Sequence, residues 1–351
     1  MIKLTHVVAA AAMLAATQAP AADVTLRIGA GHPPVGFAYV QAADSYFIPE
    51  VTRLAASKGH NVRFIKAWAG TVAKVDGVIE AVEKGVLDIG LSNPSFEPSR
   101  APLLNISFYA PFVSPDPQLM QKVAMRLLKE APGLQDSMRP YGIHILQLST
   151  LENYGVLSNY SIKALGDLRG RKIGVAGANS TLYAAAGSVP VTMPAPEAYT
   201  SIKNGLIDGQ VFFASGFESF KLNEVAKHFV RTGQGSYVGS AMLMNISTRS
   251  KLPSDLVQVI DQVAEATSRR IAEINVERES TAEVKAKVSG VTVSELPRSD
   301  LAKWMASIRE APQNHARELD AKGLKGTDTF AAYFRLIKDA GYQMPVTYSG
   351  F

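Results

Sequence analysis

One phrase occurs twice in this chain, and it constrains the fold more than any other feature. Ala81–Ser92 reads AVEKGVLDIGLS and Ser201–Phe212 reads SIKNGLIDGQVF. Each is the end of an amphipathic helix, a glycine stop, a short apolar step, an aspartate and a β-type run. Gly85 and Gly205 stand where a helix C-terminus favours a left-handed residue without a Cβ. A helix-to-strand connection used twice predicts two similar α/β halves rather than one sheet. Ligands of α/β sheets bind beyond the carboxyl ends of strands, so two facing halves would enclose a cleft. A two-lobed binder and a two-domain enzyme both fit that outline.

Residues 1–22 read as a targeting segment. Lys3 supplies a positive start, Val7–Ala16 is apolar but too short to span a bilayer, and Ala19-Pro20-Ala21 offers a small-residue cleavage site. Cleavage there would remove one lysine and no acid, taking the formal charge from +5 to +4. Export of the mature protein is therefore expected, with a retained signal anchor as the alternative. The chain has no cysteine, so neither disulfides nor thiolate chemistry is available to it and the apolar core must hold the fold. Lysines and arginines are dispersed in short pairs such as Arg269-Arg270, which argues against a nucleic-acid groove.

Hydrophobic periodicity orders the elements. Val24–Ile28 alternates as a half-buried strand and runs into Gly29-Ala30-Gly31-His32-Pro33-Pro34. Phe37–Ala56 has helical spacing with a kink or break at Pro49, Val62–Ala67 is a strand, Val75–Lys84 a helix and Leu87–Leu91 a strand. This βαβα order predicts a parallel or mixed sheet with helices on its faces. A proline-punctuated connection follows, then a helix at Leu119–Leu128 and a strand at Ile143–Leu148. The second half offers strands at Tyr154–Leu157, Lys172–Ala176, Val189–Met193 and Ile207–Phe213, with helices from Ser180 and over Glu197–Lys203. The expected division is lobe I over 23–147 with about 235–250, and lobe II over 148–234 with parts of the C-terminal region. Pro253, Ser254 and Asp255 open a helix with Ser254 as N-cap. Helical spacing then continues without Gly or Pro to Ser289, roughly 50 Å at about 1.5 Å per residue. Such a helix exceeds one lobe; it predicts an element shared by both over 254–289, or alternatively a dimer contact. Residues 290–351 would pack on the lobes.

The ordered motifs resemble those of the DctP-type solute-binding proteins of TRAP transporters. The residues that carry the likeness begin at Trp68-Ala69-Gly70-Thr71, run through Glu80–Gly90 and reach Ala110-Pro111-Phe112. They continue in Asp167–Ile173, Val189–Met193, Glu197-Ala198-Tyr199, Asn204–Gly209 and Glu224–His228. The resemblance implies a two-lobed periplasmic-binding-protein-like α/β fold with a long C-terminal helix across both lobes. It also implies a receptor that closes on a small organic acid and delivers it to an integral-membrane permease. A sensor accessory protein would share fold and binding and differ only in partner. A monomer is expected, with a dimer through the long helix as the alternative.

The departures from that family concern the ligand. Where the family usually carries an arginine that pairs bidentately with a carboxylate, this chain has Gly174. Near a second such arginine it has Leu151-Glu152-Asn153-Tyr154, and in place of a polar residue it has Phe212-Phe213. These changes predict an aromatic or otherwise apolar-bodied acid rather than a C4-dicarboxylate, with Gly174 making room for it. The expected wall and anchor residues are His32, Phe37, Trp68, Ser92, Phe96, Asn153, Tyr154, Gly174, Asn179, Phe212 and Phe213. Adjacent strand residues face opposite sides, so at most one of Phe212 and Phe213 should touch ligand. Phe217 and Phe220 are assigned to the core. Arg100 is the candidate replacement cation, or else a surface partner of Glu97. Glu152 would favour a cationic ligand if buried against one. Asn179 stands at a helix start, as an anion contact or an N-cap. Asp88 and Asp208, in repeated settings, are read as braces of their turns.

No constellation demands catalysis. The sequence has no H-E-x-x-H, G-x-S-x-G or P-loop motif. His6, His32, His60, His144, His228 and His315 show no metal-ligand spacing. Gly29–Gly31 lacks the third glycine of a dinucleotide turn. No cofactor and no metal are expected. The one acid–base pair an enzyme reading could use is Glu152 with His32.

Overall fold

The computed structural model describes residues 22–131 and 133–351; the targeting segment read over residues 1–22 lies, but for Ala22, outside them. The chain builds β1 (Asp23–Ala30), β2 (Asn61–Ala67), β3 (Ile89–Ser92) and β4 (Ile143–Thr150). It then crosses to β5 (Tyr154–Ser158), β6 (Lys172–Val175), β7 (Val189–Thr192), β8 (Gly209–Phe213) and β9 (His228–Arg231). It returns in β10 (Val238–Asn245) and crosses again to β11 (Thr292–Glu295). Two sheets result, in the orders β2-β1-β3-β10-β4 and β11-β9-β5-β8-β6-β7. In each, the β-α-β units are parallel and one returning strand is antiparallel: β10 against β3 and β4, and β5 against β8 and β9. This is the two-lobed α/β architecture that the repeated phrase implied.

The repeat is physical as well as textual. Gly85 and Gly205 both adopt positive φ, +66° and +70°, where a side chain would be strained. Asp88 accepts from the Arg27 amide at 2.7 Å while its own amide donates to the Arg27 carbonyl. Asp208 does the same to Lys172, with the carboxylate contact at 2.8 Å. Each aspartate thus brackets one residue of the adjacent parallel strand and sets its register. Asp88 is bound a third time by Thr248 Oγ1.

The helix expected over Phe37–Ala56 runs from Ala38 to Ser57 without a break. Its middle, Ala43–Phe47, is π-helical. That wider turn directly precedes Pro49, which has no N–H to donate to the preceding turn. The second helix begins at Val78, not Val75, behind Gly77.

The long helix spans Ser254–Val288. It packs on β4, on helix Pro117–Glu130 and on Ala38–Ser57 in the first lobe, and on Gly216–Ser219 and β11 in the second. Ser254 is its first helical residue and Pro253 its N-cap, with no side-chain cap. Asp255 instead pairs with buried His60 at 3.0 Å, tying the helix start to β2. The lobe boundary also shifts from residue 147. β4 stays in the first sheet to Thr150, and Leu151–Asn153 makes the crossing. The return segment Thr232–Tyr237 runs beside it, with Leu151 N donating to Tyr237 O at 2.9 Å and Ser236 Oγ to Leu151 O at 2.6 Å. Among the described residues no helix is long and apolar enough to cross a membrane.

Candidate functional site

The carboxyl ends of the parallel strands point their loops into the space between the lobes. From the first lobe come the loop after β1, carrying His32 and Phe37, and the turn after β3, carrying Asn93 and Phe96. From the second come Tyr154 at the start of β5, Ala176 after β6, Met193 and Ala195 after β7, and Gln210, Val211 and Phe212 on β8. These eleven residues line one small void of about 20 Å³ between the closed lobes, room for about one water. The lobes meet around it: a Cβ added to Gly36 would lie 2.6 Å from the Phe220 ring, and one on Gly177 would lie 3.1 Å from the Ser95 carbonyl.

The walls are aromatic. His32 stacks on Phe37 with centroids 3.8 Å apart and meets Phe96 edge-on at 5.7 Å. Phe37 contacts Phe212 at 5.5 Å and Phe220 at 5.9 Å, joining the lobes ring to ring. Phe220, assigned to the core by sequence, is half-buried in this contact. Phe212 and Phe213 do not diverge as strand neighbours in mid-sheet would. β8 ends there, their ring centroids are 4.4 Å apart, and Phe213 packs on Tyr154 at 4.8 Å. Phe212 lines the void and Phe213 stands behind it.

The polar groups are all uncharged. His32 is 1% exposed. Its Nδ1 is paired with the Tyr39 hydroxyl at 2.6 Å, and its Nε2 has no protein partner. Burial pushes the imidazole down to about 3, so the ring is neutral in water near pH 7. Burial raises the Tyr39 and Tyr154 hydroxyls, which keep their protons. Gln210 donates its amide to the Met193 and Val211 carbonyls, at 3.4 and 3.3 Å, and leaves Oε1 unpartnered. Asn93 Oδ1 accepts from Ser95 Oγ at 2.5 Å and holds the turn that carries Phe96.

Several residues expected at the ligand lie elsewhere. Trp68 donates to Asp44 at 3.0 Å on the flank of the first lobe and is not part of the lining. Ser92 donates to Glu97 at 3.2 Å behind the turn. Asn153 donates its side-chain amide to Pro115 O at 2.7 Å and to both oxygens of Glu279 at 3.0 Å, and so ties the crossing to the long helix. Asn179 is fully buried with neither amide atom partnered, and it makes no cap hydrogen bond to its helix. The space beside Gly174 is not vacant. A Cβ there would fall 2.0 Å from Gln210 Oε1, so the room surrendered by the missing side chain is taken by the neighbouring strand. Gln210 and Tyr39 are residues that sequence reasoning passed over. Only the inward alternation of β8 could have pointed to Gln210.

The two charge hypotheses also resolve. Arg100 pairs with Glu83 at 2.6 Å and Glu80 at 3.9 Å and lies over Tyr141; its side chain joins neither the cleft lining nor the Glu97 carboxylate. Glu97 is buried and accepts from the Ile79 amide at 3.0 Å, capping helix Val78–Glu83. Glu152 is buried against Arg278 of the long helix at 3.2 Å and accepts from Ser215 at 3.0 Å. Its charge is therefore answered by the protein. The lining holds no lysine or arginine.

The family described as bacterial extracellular solute-binding protein, family 7 (DctP) matches residues 57–319. The chain belongs to this family. It is similar to the ectoine-binding periplasmic protein TeaA of Halomonas elongata, 25% identical over 268 residues that cover 74% of this chain and 76% of TeaA. Its fold resembles DctP7, an extracytoplasmic solute receptor of Bordetella pertussis binding pyroglutamic acid. The TM-score is 0.77 at 19% identity, over 89% of this chain and 99% of DctP7. It also resembles a marine-metagenome TRAP solute-binding protein specific for aromatic acid ligands, held in complex with 3-hydroxybenzoate. There the TM-score is 0.78 at 22% identity, over 92% of this chain and all of that one.

Proposed function

We propose that the protein is a periplasmic receptor that captures a small organic acid with an apolar, preferably aromatic, body by lobe closure. It would then deliver that acid to a TRAP-type membrane permease. The observation that carries this reading is the interlobe cleft walled by Phe37, Phe96, Phe212 and the His32 ring, with a few uncharged polar atoms facing inward. Flat apolar walls take up a ring by area and edge-to-face contact. Ligand that touches both lobes favours the closed form by its differential affinity. Family relatives that bind pyroglutamic acid and aromatic acids make the same ligand class reasonable here. No bidentate guanidinium is available to select a dicarboxylate. The lining offers no nucleophile with a base beside it, and the reading is of a binder without turnover.

A thermal-shift screen of the mature protein tests this, with benzoate, 3-hydroxybenzoate, mandelate, pyroglutamate, succinate and ectoine as probes. Selective binding raises the melting temperature by mass action. Aromatic or cyclic acids should shift it and succinate should not. A response to succinate alone would overturn the ligand class, and a response to none would overturn the acid reading.

A further inference from the structure

We infer that this receptor balances the charge of its acid ligand with a proton taken up on closure and held on His32, rather than with a fixed arginine. The inference rests on the organic-acid reading above. Its starting point is a mismatch: a carboxylate enclosed between the lobes would be the sole net charge in the lining, and an uncompensated buried carboxylate is strongly disfavoured. Something must neutralise it. Arg100 is committed to Glu83 outside the cleft, and Arg278 is committed to Glu152.

His32 is built for the task. Its Nε2 is buried and unpartnered, and the residue is part of the lining. Its Nδ1 rests on the Tyr39 hydroxyl at 2.6 Å. That hydroxyl donates to Nδ1 when the ring is neutral and accepts from Nδ1–H when the ring is charged, so both protonation states keep a satisfied partner. The stacked Phe37 ring holds the imidazole plane, and an aromatic face also accommodates a cation.

The surroundings of His32 leave the ligand as the controlling charge. From helix Ala38–Ala42 the facing titratable group is Tyr39, and from β5 it is Tyr154. From the turn after β3 the facing groups are Asn93 and Phe96, with Glu97 turned away to the Ile79 amide. β8 presents Gln210 and Phe212, and the segments after β6 and β7 present Ala176, Met193 and Ala195. None of these carries a charge near pH 7. The shut cleft by itself keeps the ring neutral, because burial is what acts on it. A carboxylate against Nε2 supplies the opposite influence and raises the ring's affinity for a proton.

The sign follows by linkage. With the lobes parted, free His32 escapes the burial that holds the ring at about 3 in the shut cleft, and bound His32, against a carboxylate, titrates higher than the free ring. Between those two values binding takes up a proton, so Kd rises with pH, by up to about tenfold per unit. Isothermal titration should be run on the mature wild-type protein with the strongest acid from the screen, between about pH 6 and pH 8, where free carboxylic acids are ionised. Repeating it in phosphate, imidazole and Tris gives the proton count, because the observed heat varies with the buffer's own ionisation heat. Uptake approaching one proton at the lower pH, with Kd rising as pH rises, is the expected result. Heats that do not depend on the buffer, with a flat Kd, would overturn the inference while leaving the acid receptor intact. Absence of any acid binding would remove both.

Two variants locate the proton. His32→Gln keeps a donor near the Nε2 position but cannot titrate, so it should bind more weakly and with no proton uptake. Uptake preserved in His32→Gln would place the proton on the ligand and overturn the role of His32. Tyr39→Phe removes the acceptor for Nδ1–H and should move the pH-dependent range downward. An unmoved range would overturn the part assigned to that hydroxyl.

Discussion

At the scale of single residues, the aromatic side chains divide by what they touch, not by how conspicuous they are in sequence. Phe212 spans the gap between lobes, meeting Phe37 and Phe220, while Trp68 faces Asp44 and the flank of β2. Phe212→Ala should weaken binding of the best-bound acid by about tenfold or more, the order expected for removing one ring wall. Trp68→Ala should leave affinity within about twofold and lower the melting temperature instead, since it removes half-buried packing and a hydrogen bond. Titration calorimetry and thermal unfolding on the two variants check this contrast. A tenfold loss in Trp68→Ala with unchanged Phe212→Ala would reverse the assignment.

At the scale of elements, buried carboxylates join secondary structures and set the pH response of stability. Glu97 caps helix Val78–Glu83, and Glu152 and Glu279 meet the crossing strand and the long helix. Burial pushes all three up to about 7, against the ordinary glutamate value of 4.5. A raised carboxyl pKa means the folded state holds the proton more tightly than the unfolded one. Stability from these groups is therefore greatest below 4.5, falls as pH rises toward 7 and stays low above it. Melting temperatures should drop from about pH 5 to pH 8, and Glu97→Gln, which keeps an acceptor for Ile79, should flatten part of that slope. Arg278→Leu separates the effects further. Removing one partner of a buried pair costs about 3–5 kcal/mol when the other stays charged. The variant should be badly destabilised near pH 8 and far less near pH 5, where Glu152 can hold a proton. Equal destabilisation at both would show that packing, not charge, is what Arg278 supplies.

At the scale of the whole molecule, the two lobes are joined by three parallel routes: Leu151–Asn153, Thr232–Tyr237 and the long helix. The lining is shut in this state; Phe37 and Phe212 are 3% and 4% exposed. Ligand can enter only after the lobes part. Small-angle scattering should therefore show a larger radius of gyration for the free mature protein than for its complex with the best-bound acid. Identical profiles would mean that closure precedes binding. The hydrogen bonds from Ser236 to Leu151 and from Asn153 to Glu279 mark where such opening must be absorbed, because each ties one route to its neighbour.

The sequence by itself determined the two α/β halves, the bracing aspartates and the long helix, because each depends on local spacing: a glycine after a helix, an aspartate before a strand, an uninterrupted helical period. The family resemblance added that Gly174 stands where an arginine is usual. What the sequence could not supply was who fills the vacated space and who answers each charge. Gln210 takes the room beside Gly174 because β8 pairs with β6 at that register. Arg278, far away in sequence, meets Glu152 only because the long helix lies across the crossing. Tyr39 reaches His32 through the turn of helix Ala38–Ala42. These are long-range or turn-dependent meetings, set by packing between elements, and no local pattern of residue types encodes them.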